Sequence, residues 1–123
     1  WIVGGMKTES GKDRKVPIHP AIMPIVKYHY SKGGEYLLTG INGDFLTYNA
    51  YHKGFNKLMH DLKIPDHNPH DGRKQFVTMC KKYNVDEYAI KRMVGHKIDD
   101  ITEAVYTDRN IEWLKSEIEK IKV

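Results

Sequence analysis

Apolar residues recur along the chain at two different spacings, and the change falls early. Residues 1–6, WIVGGM, form a short apolar run of strand length. Residues 6–13, MKTESGKD, are polar, contain Gly11 and read as a hairpin turn. Residues 14–18, RKVPI, supply the returning strand, and Pro17 suits a strand end or a sheet edge. Beyond this hairpin the spacing becomes helical. Pro20 and Pro24 fit the first turn of a helix reaching about Ser31, with Ile22, Ile25, Val26 and His29 at helical steps. Gly33-Gly34 stops it. Residues 36–39, YLLT, make a brief apolar segment before a loop from Gly40 to Asp44.

The second half is predicted to be helical almost throughout. Thr47 is an N-cap for a helix over about 48–62, and Tyr48, Tyr51, Phe55, Leu58, Met59 and Leu62 form its apolar face. Asn68 caps the next helix, Pro69 takes its first position and Asp71 lies in its first turn. Phe76, Val77, Cys80 and Tyr83 are its core face. A short helix follows over about 87–94, capped by Asp86 and stopped by Gly95. Asp99 or Asp100 starts another that reaches Tyr106. The last, over about 110–121, carries a stripe of Ile111, Leu114, Ile118 and Ile121. That stripe either closes the chain's own core or docks on a neighbouring subunit. The expected fold class is mainly α (α+β), with a small antiparallel β-hairpin near the N-terminus and one domain over residues 1–123.

Composition narrows the possibilities. A lone Cys80 rules out an internal disulfide framework and a Cys-rich zinc site, and points to a reducing compartment. No apolar run approaches the roughly 20 residues of a membrane span, and no charged-then-apolar leader opens the chain. The net charge of +4, from 20 Lys and Arg against 16 Asp and Glu, suits a polyanionic partner without proving one. The opening WIVGGMK begins with Trp and reads as the interior of a strand, so an expressed fragment is expected.

Four residues between Asn68 and Tyr106 carry the candidate chemistry. His70 and Arg73 are three apart at a helix start and share a face. A helix N-terminus with a guanidinium beside it is a natural phosphate site. Taken alone, the pair also fits a helix-start His and a salt-bridging Arg. His96 directly follows the helix-ending Gly95, so the turn itself orients it. Tyr106 is one of eight tyrosines, and a phenol with a pKa of about 10 needs nearby cations or a base to act as a nucleophile at neutral pH. Lys7, at the hairpin turn, could neutralise a phosphate or deliver a proton. Lys12, Arg14 and Lys15 follow it, and a solvated basic turn is the alternative reading for Lys12 and Lys15.

In this order, HDGR, VGH and a downstream Tyr before a terminal helix resemble the tyrosine recombinases of the phage-integrase family. Arg73 and His96 stand 23 residues apart and Tyr106 ten beyond His96, the family's usual spacing. MKTESGKDRKVPIHP looks like the family's hairpin, where a catalytic Lys precedes a Val-Pro strand. Lys74 stands where the family often has His, and Gly72 replaces a common large apolar residue. The family's first catalytic Arg precedes the hairpin Lys, whereas the arginines here are Arg14, Arg73, Arg92 and Arg109. The chain therefore resembles the C-terminal portion of a recombinase catalytic domain, without the first Arg box and the N-terminal DNA-binding domain.

The resemblance implies a site-specific recombinase that breaks and rejoins double-stranded DNA through a 3′-phosphotyrosine. Tyr106 would be the nucleophile, Arg73 and the absent Arg the charge stabilisers, His70 a proton-transfer aid, His96 a phosphate ligand and Lys7 the general acid. Lys12, Arg14 and Lys74 would contact DNA. The resemblance further implies no metal or other cofactor, a homotetramer on DNA, a phage or other mobile element, and the bacterial cytoplasm. The 123-residue chain alone is expected to be inactive or nearly so. Three other readings compete. A type IB topoisomerase shares the nucleophile chemistry, and a non-catalytic integrase remnant shares the DNA partner. A metal site at His60, His67 and His70 lacks the spacing of a known metal motif.

Overall fold

The computed structural model describes residues 1–5, 9–98 and 110–123. Its described part is mainly helical with one small antiparallel sheet, as the sequence predicts. The elements are β1 (Ile2–Gly4), β2 (Arg14–Val16), α1 (Met23–Ser31), α2 (Tyr48–Asp61), α3 (Pro69–Lys82), α4 (Glu87–Val94) and α5 (Ile111–Ile118). Short 3-10 turns at Glu9–Gly11 and Pro20–Ile22 precede β2 and α1. The chain forms two compact units. One comprises Trp1–Met23 with Phe76–Val123, and the other is Pro24–Gln75.

The first unit holds the core. Cys80, Val85, Ala89, Ile90, Met93, Leu114, Ile118 and Ile121 are buried together, with Val16, Phe76, Val77 and Trp113 packed around them. The stripe on α5 thus closes the chain's own core: Leu114 is only 1% exposed and Ile118 4%. Burial pushes the Cys80 thiol up to about 11, which makes it a core residue rather than a nucleophile. β1 and β2 pair with Ile2 opposite Val16 and Gly4 opposite Arg14, and β2 packs on α4 and α5. The strands are shorter than expected. Gly5 adopts a left-handed φ of 107° just after β1, and Pro17, which has no N–H to donate, follows β2. The helix expected over 110–121 is also shorter, ending at Ile118: Ile121 continues only as a turn, its N–H reaching the Ile118 carbonyl at 3.2 Å.

Polar groups fix where the core helices begin and end. Asp86 Oδ1 accepts the Tyr88 and Ala89 N–H groups at 2.9 and 3.3 Å and caps α4. The Asp86 N–H in turn donates to buried Glu117 of α5 at 2.8 Å, and Lys120 Nζ lies 2.7 Å from both Glu117 oxygens. A buried carboxylate with both a cation and an amide partner avoids the cost of an uncompensated charge. His19 joins the two ends of this unit. Its Nδ1 accepts the Ala21 N–H at 3.1 Å, which leaves Nε2 to donate to the Ile121 carbonyl at 3.0 Å.

The second unit corrects one expectation. α2 forms where predicted, with Thr47 Oγ1 accepting the Ala50 N–H at 3.2 Å, but no residue of α1 or α2 is buried. Tyr48 is 69% exposed, Leu58 52% and Ile25 60%. Helical spacing predicts that these residues share a side; it does not supply a surface to cover them. Between the two helices, Thr39 and Phe45 form an isolated antiparallel bridge around a turn closed by Gly40 N–H to Asp44 O at 2.8 Å. Among the described residues no helix is long and apolar enough to cross a membrane.

Two glycines give opposite expectations. Gly95 has φ 73°, and a Cβ there would lie 2.9 Å from Gly11 Cα. Gly54, inside α2, has open space around it. By urea unfolding, Gly95→Ala should destabilise by about 1–2 kcal/mol or more from the left-handed backbone alone, whereas Gly54→Ala should stabilise by about 0.5–1 kcal/mol.

Candidate active site

The start of α3 is built as a capping box. Asn68 Oδ1 accepts the His70 N–H at 2.9 Å, and Asp71 Oδ2 reaches back to the Asn68 N–H at 3.0 Å. Pro69 occupies the first helical position, where its missing N–H costs nothing. The box fixes the first turn, and with it the direction in which His70 and Arg73 leave the helix. His70 is exposed and Arg73 half-buried, three residues along the same side. Further along α3, Phe76 and Val77 are half-buried and Cys80 is fully enclosed, so the polar pair ends where the core begins. Lys74 Nζ pairs with Asp71 Oδ1 at 2.9 Å, which ties this cation to the helix start.

Asp71 is held well below the usual carboxylate range, at about 2, chiefly by the Asn68 backbone N–H and next by Lys74. A folded pKa below the unfolded one adds stability that is present above the unfolded value and is lost as pH falls through the folded one.

His96 is placed by the end of α4. Gly95 is left-handed, its N–H donates to the Arg92 carbonyl at 3.3 Å, and the His96 N–H donates to the Lys91 carbonyl at 3.0 Å. These two bonds are the Schellman pair, so the His96 backbone is set by the helix it follows. Its side chain is exposed. Around it, Lys12, Arg14, Lys15, Arg92 and Lys97 line a cleft with Asp13 and Ile98. Five cations against one carboxylate make this an anion-attracting surface. Within the cleft wall, Arg14 Nε donates to the Met93 carbonyl at 3.0 Å and Nη1 donates to the Gly11 carbonyl at 3.1 Å.

The predicted site residues thus fall into two described groups. His70, Arg73 and Lys74 share the first two turns of α3, and Lys12, Arg14 and His96 share the cleft. Lys7 and Tyr106 lie outside the described residues, as does the expected helix from Asp99 or Asp100 to Tyr106. Sequence reasoning missed Arg92 and Lys97 as cleft walls, although the run RMVGHK places cations on both sides of His96. It also missed the inward bonds of Arg14, whose partner Met93 is 79 positions away. Among the described residues no group of three or more His, Cys, Asp or Glu could hold a metal ion.

The chain belongs to the phage integrase family, whose model matches residues 1–112. That span covers the hairpin, both histidine boxes and Tyr106. Family membership ties the chain to site-specific recombination and to DNA as a partner. Comparison with curated proteins and with solved structures returned no match.

At neutral pH, Asp71→Asn should lower the melting temperature by loosening the start of α3. The difference from wild type should shrink below pH 3.8 and disappear only as the pH falls through and below about 2, where Asp71 itself becomes protonated. Thermal melts across that range, followed by circular dichroism, read the convergence.

Proposed function

We propose that this chain carries the strand-breaking and rejoining chemistry of a tyrosine recombinase. Tyr106 attacks the scissile phosphorus, the bond to the 5′ oxygen breaks, and a 3′-phosphotyrosine forms. Lys7 gives its proton to the departing 5′ oxygen. A 5′-hydroxyl of a partner strand then reverses the step, so the phosphoester bond energy is conserved. Arg73 stabilises charge on the non-bridging oxygens, His96 hydrogen-bonds the phosphate and His70 assists proton movement. Lys12, Arg14 and Lys74 are assigned to the DNA backbone. The working form is a homotetramer on a double-stranded recombination site in the bacterial cytoplasm.

The observation that carries this reading is the family match over residues 1–112, a span that contains every one of these residues. Physical support comes from the start of α3, where a helix N-terminus and a guanidinium combine as a phosphate site requires. The cation-lined cleft beside His96 supports DNA as the partner.

The chain has no arginine ahead of Lys7. The second guanidinium of the phosphate clamp must come from outside these 123 residues. Its absence is expected to raise the barrier by about 3–4 kcal/mol, as for a lost oxyanion donor. The same absence favours a second reading, a DNA-binding integrase segment without catalysis.

A nicked suicide substrate separates the possibilities. The 123-residue chain should trap little or no covalent DNA; efficient trapping would overturn the need for a second arginine. In a polypeptide that supplies that arginine, Tyr106→Phe should abolish the adduct and leave DNA binding intact. Adducts that persist in Tyr106→Phe would show another nucleophile. No adduct from the unmutated polypeptide would favour the non-catalytic reading.

A further inference from the structure

The last turn of α4 is finished by a residue from another element. A helix end leaves its final carbonyls without partners inside the helix. Two near the end of α4 are taken locally: the Arg92 carbonyl accepts the Gly95 N–H, and the Lys91 carbonyl accepts the His96 N–H. The next carbonyl, that of Met93, accepts Nε of Arg14 at 3.0 Å, and Arg14 belongs to β2. A cation in this place also meets the negative end of the helix dipole. The same guanidinium donates through Nη1 to the carbonyl of Gly11, which is buried. Left-handed Gly95 allows the close approach. A Cβ there would stand 2.9 Å from Gly11 Cα and 3.3 Å from Arg14 Nη1.

We propose that Arg14 is a positioning residue for His96: it caps α4 from β2 and so holds the turn from which the imidazole leaves. This rests on the reading of His96 as a phosphate ligand. The turn needs such a hold because helix ends open more readily than helix interiors. The His96 N–H bond to Lys91 lies in that last turn, and the His96 side chain is exposed. Arg14 ties the turn to a residue that is itself held in the sheet, opposite Gly4. Its guanidinium bonds two carbonyls at once because its donors are rigid and coplanar. A lysine ammonium on a flexible stem has the charge without that fork. Arg14→Lys therefore separates capping from any attraction of DNA to this position.

Two measurements test the cap. In the 123-residue chain, amide exchange is followed at Gly95 and His96, with the Ile90 amide, bonded to Asp86, as the reference within α4. Arg14→Lys should speed exchange at Gly95 and His96 by about tenfold or more relative to Ile90, because the last turn opens without the rest of the helix. No acceleration, or equal acceleration at all three amides, overturns the proposal. The second measurement is cleavage of the nicked suicide substrate, at saturating DNA, by a polypeptide that supplies the second arginine. Arg14→Lys should slow cleavage by about tenfold when His96 is present and by less than about twofold in a His96→Ala background, the coupling expected of a residue that acts through another. Equal slowing in both backgrounds overturns the positioning role and leaves the reading of His96 standing. If His96→Ala alone cleaves as fast as the unmutated polypeptide, the role of His96 fails, and the proposal with it.

Discussion

Burying one side of α4 decides where His96 stands. Ala89, Ile90, Met93 and Val94 are all buried, in a helix of only eight residues. The Ile90, Met93 and Val94 side chains each contribute about 1.5–3 kcal/mol when removed from water, against about 1 kcal/mol for a helix cap. Packing therefore holds α4 in place, and the caps set its ends. Asp86 begins the helix under the grip of Glu117, and Gly95 ends it. The histidine follows one residue later, with its own N–H already bonded back to Lys91. The backbone from which the exposed imidazole projects is thus fixed by the core helix.

The start of α3 uses a different device for the same end. Asn68, Pro69 and Asp71 complete the first turn almost without help from the core, so His70 and Arg73 leave a helix whose beginning is set locally. The low pKa of Asp71 has the same origin, since the N–H bond that closes the box also stabilises the carboxylate.

Much of this was legible from residue types alone. Thr47, Asn68 and Asp86 all cap helices through side-chain oxygens, and Gly95 takes the left-handed turn that stops α4. The stripe on α5 was equally readable, although its neighbour was not. The stripe on α2 has a comparable pattern and lies exposed. In the site, the order and spacing of His70, Arg73, His96 and Tyr106 pointed to the family that the comparison then established. The cleft beside His96 was only half visible, because Lys12, Arg14 and Lys15 come from the hairpin while Arg92 and Lys97 flank α4's end.

By itself, then, the sequence determined the events that span a few residues: caps, stops, helix faces and the hairpin. Each is settled by bonds within one or two turns, so nearby residue types suffice. The tertiary structure alone decided which apolar stripe found a partner and which way Arg14 turned. Glu117 reaches Asp86 across 31 positions and Arg14 reaches Met93 across 79. Bonds of that range form only after packing has brought the elements together, and no local pattern encodes them.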